Sequence, residues 1–373
     1  SVRRCSRRGR SGLHWLATPF APLMVLHQAH LVPQPVGWTL VAALPSDGGM
    51  PLLDRRSSIM GPAEFRRATL PACLLGAGLP DCGCIRLQQA GVPFEIIEKN
   101  ADFGGTWLEN TYPGCRVDNP SHMYSYSFEA NHDWPMHYST QDVLFDYFKR
   151  CADRHTLRPH VRFDTTVNEA AWDEAAKVWR LKITRADGGC ETLVGNALVS
   201  AVGQLNQPRL PDIKGRDSFA GPSFHSARWR HDVDLKGKRV VVIGTGASAF
   251  QFVPEIAPKV GELAVFQRTP PWLAPTPNYH DKVTPAEAWL LKTVPFYEKW
   301  YRFWLFWLGT DGILDAVTVD PNWTGPKTAV SQVNADTQAM MIEAMRLQTA
   351  GDDELLQPRP GGPQGGGFAR TGR

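Results

Sequence analysis

Two short stretches of this chain carry residues whose types and spacing could hold a phosphate diester against backbone N–H groups. The first, "CLLGAGLPDCGCIRLQQAG", runs from Cys73 to Gly91 and sets Gly76 and Gly78 after a short apolar run. The second, "KRVVVIGTGASAF", sets Gly244, Gly246 and Ala249 in a GxGxxA turn, with Thr245 and Ser248 inside it. Glycines at this spacing permit a tight strand-to-helix turn and close approach of a pyrophosphate to a helix N-terminus. A lone turn of this kind is weak support for nucleotide binding, so the flanking elements must decide.

Those elements agree in both places. After the first turn, "CIRLQQAG" reads as a helix with a glycine stop, and "VPFEIIEKN" as a second strand ending in Glu98. An acid about 20 residues past the glycines is placed to accept both ribose hydroxyls of an adenosine. After the second turn, "ELAVFQRTP" ends its strand in Gln267, Arg268 and Thr269, where a guanidinium suits a 2′-phosphate. Two strand–turn–helix–strand units with opposite chemistry at the second strand predict one FAD and one NADP(H). The fold class expected is α/β, with two dinucleotide-binding, Rossmann-like domains.

The first turn departs from its pattern at one point. Asp81 stands where a third glycine would let helix and strand pack closely, and its charge opposes that of a pyrophosphate. Flavin affinity is expected to fall as a result.

Between the units, "VWRLKITRADGGCETLVGNALVSAVG" alternates Trp179, Leu181 and Ile183 with Arg180, Lys182 and Thr184. It reads as a hairpin feeding a buried strand that ends at Gly203, after which "GQLNQPRLPDIKG" reads as a linker. The division expected is a leader over 1–69, an FAD-binding domain over 70–207, an NADP-binding domain with a helical insert over 208–350, and a Gly/Pro-rich tail over 351–373.

Two further segments, "EKNADFGGTWLENTYPGCRVDNPSHMYSYSF" and "FAGPSFHSARW", resemble the signature segments of the Baeyer–Villiger monooxygenases, within the wider flavin-containing monooxygenase group. The second matches FxGxxxHxxxW at Phe219, Gly221, His225 and Trp229. Amine- and sulfide-oxygenating relatives usually carry Tyr or Phe at the last position, so Trp229 favours the ketone branch; Arg230 departs from the usual next residue. The resemblance spans about Pro71 to Gly351. It implies that Glu98 holds the FAD adenosine, that Gly105, Thr106 and Trp107 line the flavin, and that Asp118 and Tyr124 sit near its ring system. It further implies a catalytic role for Asp118 beside an active-site arginine, as fixed charge in a dry site.

The activity implied is that of an FAD-dependent, NADPH-using monooxygenase that inserts one oxygen atom of O2 into a small ketone through a C4a-peroxyflavin. Oxygenation at nitrogen or sulfur is the alternative within the enzyme class. A truncated, non-catalytic NADP(H)-binding remnant is the alternative outside it, since family members continue past the second unit and no residue here matches the arginine. A disulfide reductase is disfavoured, because no paired cysteines lie near the flavin end. His225 is read as fixing the junction between units rather than as a base, and the aromatic run "FYEKWYRFWLFW" as packing of a helical insert.

Composition bounds the remaining classes. The chain has 373 residues, a formal charge of +3 and seven scattered cysteines, which signals no nucleic-acid binding, disulfide framework or metal site and fits a reducing cytoplasm. No apolar run reaches the length of a membrane span. From Ser1 to Ser46 there is no Asp or Glu, and Lys is absent before Lys99 and again from the tail beyond Asp353. An Arg-rich targeting leader is one reading of the start. Translation in a shifted frame of a GC-rich gene explains both ends and is the expectation preferred here.

Overall fold

The computed structural model describes residues 40–42, 72–75, 81–348 and 367–370, except positions 204, 269–271, 273, 275 and 277. The turn bearing Gly76 and Gly78, and Thr269, therefore lie outside the described residues.

The first nucleotide unit is built on a parallel sheet. β2 (Ala72–Leu75) lies between β3 (Phe94–Ile97) and β8 (Ala197–Ser200), and β3 pairs with β4 (Val161–Arg162), all parallel. β2 leads through helix α1 (Asp81–Gln89) into β3, and Gly91 at φ 68° makes the turn between helix and strand. β3 buries Phe94, Ile96 and Ile97 because helices and loops cover both of its faces. Against it pack Cys84 and Ile85 of α1, Phe103, and Ala152 and Leu157. The strand order runs one way from β2 to β4 and the other way from β2 to β8, and sheets with such a reversal bind ligands beyond the carboxyl ends of the strands at that point.

Inserted before β8 is an antiparallel meander of β5 (Thr166–Asp173), β6 (Val178–Thr184) and β7 (Cys190–Gly195). Leu181 and Ile183 are wholly buried and Lys182 is exposed, as the alternation requires. The buried strand expected to reach Gly203 ends at Ser200, and 205–215 follow as an exposed connection without strand or α-helix.

The second unit pairs β9 (Arg239–Ile243) in parallel with β10 (Glu262–Gln267) across helix α4 (Ala247–Ile256). α4 buries Ala249, Phe252 and Ile256, spaced three and four apart, toward the core. Within the first unit, between β3 and β4, come α2 (Thr106–Glu109), then a long loop, then α3 (Gln141–Arg154), whose Leu144, Tyr147, Phe148 and Cys151 are buried. One core cluster joins this loop and α3 to Val242, Ala249, Phe252, Ile256 and Leu263 of the second unit.

The helical insert comprises α5 (Pro285–Thr293), α6 (Tyr297–Gly309), α7 (Asp311–Val317) and α8 (Gln332–Gln348). Thr284 and Glu287 form a reciprocal capping box at the start of α5. Here the expectation of core packing needs correction. Only Leu305 of α6 is buried, while Trp300, Phe303, Phe306 and Trp307 are exposed. α6 meets the loop before α3 through Tyr301, whose ring lies 5.5 Å from that of His122, and through Arg302, which donates to His122 O.

Two pieces of the segments expected to lie outside the fold add strands: β1 (Leu40–Ala42) pairs antiparallel with β8, and β11 (Gly367–Arg370) antiparallel with β10. Each caps an edge whose backbone N–H and C=O groups would otherwise be unpaired.

Candidate functional site

Glu98 follows the last residue of β3 and is 3% exposed. Its own N–H donates to Arg162 O, its carbonyl accepts from Thr165 N, and its Oε1 accepts the Asn100 N–H at 2.8 Å. The carboxylate is thereby held just past the carboxyl end of β3. Asp81 opens α1, confirming that the acid stands at the helix start.

Past Glu98 the chain turns through Gly104 and Gly105, both with positive φ, into α2. A Cβ on Gly104 would come within 2.7 Å of the Phe145 ring, so only glycine fits. Thr106 is exposed and Trp107 is buried. Trp107 Nε1 donates to Tyr124 OH at 3.3 Å, the rings meet edge to face at 5.7 Å, and Gln141 Nε2 donates to Trp107 O.

Asp118 is partly buried in the following loop. Burial pushes its carboxyl above the ordinary range, against the opposing pull of a backbone N–H. Its side-chain contact is Asn119 Nδ2 at 3.4 Å, and no cation pairs with it among the described residues. Burial also raises the Tyr124 hydroxyl; the Trp107 contact lowers it and the Asp118 charge raises it further.

Gly244 has φ 103°, and a Cβ at Gly244 or Gly246 would meet nothing within 4 Å. The second turn is thus open on the side from which a phosphate would approach. Gly246 precedes α4 with no side-chain cap, so the helix offers N–H groups of its first turn to an anion. Thr245 and Ser248 flank it half-buried, Ala249 packs inward, and Arg268 is exposed just past β10.

The signature residues divide. Phe219 is 66% exposed, with its ring lying over Gly221 where a Cβ would come within 2.7 Å. His225 Nδ1 accepts the Ala227 N–H at 3.1 Å and so caps a short 3-10 turn, Ser226–Arg228; burial, then the Arg228 charge, lower its basicity. Arg228 reaches Glu109 at 3.1 Å, and Trp229 packs on Phe252 of α4 at 5.2 Å. The turn therefore ties α2 to the second unit through its neighbours, while His225 itself holds the turn.

Sequence reasoning missed the strongest joint, which centres on Gln251 of α4. Tyr112 OH donates to Gln251 Oε1 at 2.8 Å, and Gln251 Nε2 donates to Arg116 O at 2.9 Å and to Tyr279 OH at 2.8 Å. Arg116 in turn donates to Tyr279 O at 3.0 Å. Tyr112 and Arg116 lie within the quoted segment, but nothing local indicates a partner 135 residues away.

The family model described as flavin-binding monooxygenase-like matches residues 74–287, more than half of the chain. A Baeyer-Villiger monooxygenase of Streptomyces coelicolor is 43% identical over 281 residues, covering 75% of this chain and 52% of its own length. One from Pseudomonas aeruginosa is 42% identical over 247 residues, covering 66% and 45%. Among solved structures, OTEMO in complex with FAD and NADP superposes with a TM-score of 0.57 at 37% identity, covering 64% of this chain and 44% of that one. Cyclohexanone monooxygenase bound to epsilon-caprolactone gives 0.55 at 33% identity, with coverage of 62% and 45%. The chain spans about half the length of the curated relatives it matches.

Proposed function

This chain belongs to the flavin-binding monooxygenase-like family, and from that premise we propose that it acts in an FAD- and NADPH-dependent monooxygenase that inserts one oxygen atom of O2 into a ketone. The observation that carries the reading is the pairing of two parallel nucleotide units, one ending its second strand in buried Glu98 and the other in exposed Arg268, joined by the segment that docks on Gln251. The relatives named as Baeyer-Villiger monooxygenases, and the FAD and NADP carried by OTEMO, support the same cofactors and reaction here.

Glu98, Gly105, Thr106, Trp107, Asp118 and Tyr124 are the described residues that would hold FAD, together with Gly76 and Gly78. Gly244, Thr245, Gly246, Ser248, Ala249 and Arg268 would hold NADP(H), with Thr269. Bound FAD and NADP(H) would supply the redox and oxygen-activating chemistry of the reaction. The chain's own part is to bind and orient. Glu98 presents a carboxylate fixed by the Asn100 N–H, and the uncapped first turn of α4 would hold the NADP(H) pyrophosphate. Trp107 and Tyr124, hydrogen-bonded to each other, would line the flavin, with the Asp118 charge felt at the Tyr124 hydroxyl. Asp118 is the candidate catalytic group, a partly buried carboxylate that would act as fixed charge beside an active-site arginine.

Of the signature residues, His225 and Trp229 would serve the junction rather than the chemistry, while Phe219 lies exposed over Gly221. The four free cysteines among the described residues suit a cytoplasmic setting, and no described helix is long and apolar enough to cross a membrane. O2 and a small ketone are the proposed partners, without nucleic acid.

Asp81 favours a second reading, in which the flavin end is impaired and the chain retains NADP(H) binding alone. Visible absorbance of the desalted protein, with FAD released and quantified, separates the two. Near-stoichiometric flavin, followed by ester formation from a ketone panel, is the expected result. Flavin absent even after adding FAD would leave only the NADP(H)-binding reading, and sulfoxidation without ester formation would replace the ketone by sulfur or nitrogen substrates.

A further inference from the structure

The helical insert borders an open cavity of about 420 Å³ between α6 and the loop that precedes α3. None of the residues proposed above to hold a cofactor lines it. α6 presents Tyr297, Trp300, Tyr301 and Trp304 on one face, at the i, i+3, i+4, i+7 spacing, and Tyr138 faces them from the loop. The rings of Tyr301 and Trp304 lie nearly parallel, at 28° with centroids 6.1 Å apart. This accounts for half of the aromatic run that the core does not absorb.

The charge of the cavity comes from Glu287, the third residue of α5. Its Oε2 is committed to the capping box, accepting Thr284 N at 2.7 Å and Thr284 Oγ1 at 2.8 Å. Its Oε1 stands 3.7 Å from His137 Nε2, too far for a hydrogen bond, and so keeps accepting capacity. Burial works against its ionisation, but the Thr284 bonds and His137 outweigh it and hold the carboxyl below its usual range. No Lys or Arg lines the cavity among the described residues. Arg302 of the same helix is directed elsewhere, donating to His122 O at 2.7 Å, Ser125 Oγ at 2.9 Å and Ser125 O at 2.7 Å.

Aromatic faces around one carboxylate select for a particular ligand chemistry. Ring faces attract a cation through their quadrupoles, most strongly when it is weakly hydrated. A hard metal ion needs six or more oxygen ligands, which this wall does not supply. A neutral apolar molecule would strip water from Glu287 without replacing it, which costs free energy. We propose that this cavity is a binding site for a small organic cation with a methylated ammonium head, held against the Tyr297, Trp300, Tyr301 and Trp304 rings and countered by Glu287. The site stands independently of the monooxygenase reading.

A quaternary ammonium has no lone pair on nitrogen to accept oxygen, so binding is read without turnover. The test titrates the full chain with choline, with tetramethylammonium and with 3,3-dimethylbutan-1-ol, the neutral isostere of choline, by calorimetry and by tryptophan fluorescence. Both cations should bind with millimolar or tighter dissociation constants, and the neutral alcohol about 10-fold more weakly. Glu287→Gln keeps a residue able to close the capping box; it should weaken choline about 10-fold with an unchanged far-ultraviolet dichroism spectrum. Trp300→Leu alters a ring that is 68% exposed and so leaves the core intact; it should weaken choline about 5-fold. Equal affinity for choline and the alcohol, wild-type affinity in both variants, or no saturable binding of either cation would each overturn the proposal.

Discussion

A methyl group on Gly114 would stand 2.7 Å from the carbonyl oxygen of Gln251 and 2.8 Å from Cγ of Glu255, and Gly114 already holds φ at 75°. The signature loop is thus seated directly on the backbone of α4, at the place where the Gln251 side chain binds Tyr112, Arg116 and Tyr279. The glycine and the glutamine act together, since the close approach brings the side chain within reach of three partners.

Gly114→Ala should therefore destabilise the chain by about 2–4 kcal/mol, combining a strained left-handed conformation with a contact shorter than carbon and oxygen tolerate. Urea unfolding of variant and wild type gives the number. A loss under about 0.5 kcal/mol would mean that the loop does not rest on α4 in solution.

Gln251→Ala leaves the Tyr112 hydroxyl and the Arg116 carbonyl without their partners in a mostly buried joint. The expected loss is about 1–3 kcal/mol, the penalty for abandoned polar groups rather than the net worth of the bonds. Gln251→Leu should be no better, because its apolar head removes the same partners. Measured losses near zero for both would show that water replaces the amide without penalty.

His122 provides a pH signature. It is 3% exposed, and neither ring nitrogen has a hydrogen-bond partner. Burial, followed by the charges of His137 and His132, lowers its pKa from 6.5 to about 4. Because the folded value is depressed, the unfolded chain binds a proton that the folded chain refuses. Stability is full above pH 6.5 and declines as pH falls from there to about 4, by up to about 3 kcal/mol. His122→Phe keeps an aromatic ring against Tyr301, whose centroid lies 5.5 Å away, and should flatten this slope while matching or exceeding wild-type stability at pH 7. An unchanged slope in chemical unfolding across that range would assign the acid sensitivity to another group.

The nucleotide units were legible because their signals are local. A glycine turn, a helix stop and the charge at the end of a strand all fall within about 30 residues, the span of one βαβ unit. What escaped the sequence is held together over distance. Gln251 in α4 looks like any helical glutamine, and its value comes from Tyr112 and Arg116, which fold back onto it from the other unit. The aromatics of α6 misled for the opposite reason: their helical spacing is real, but spacing states which residues share a face and not whether another element covers it. Trp300 shares its face with Tyr301 and Trp304 and yet remains 68% exposed.

Arg268 tests the assignment of the second unit most directly. It stands exposed one residue past β10, level with the turn at Gly244, whose N–H donates to Phe266 O at 2.8 Å. A guanidinium there distinguishes NADPH from NADH only through the 2′-phosphate, so the effect of removing it must be confined to the phosphorylated cofactor. Arg268→Ala should raise the dissociation constant for NADPH about 10- to 30-fold, equivalent to losing a charge-assisted contact of about 1.5–2 kcal/mol, and leave that for NADH unchanged. Quenching of protein fluorescence by each nucleotide measures both constants on one sample. Equal weakening of the two cofactors would place the defect in the turn or the fold rather than at the ribose. No change for either would remove Arg268 from the site and leave the cofactor preference of this unit to its other residues.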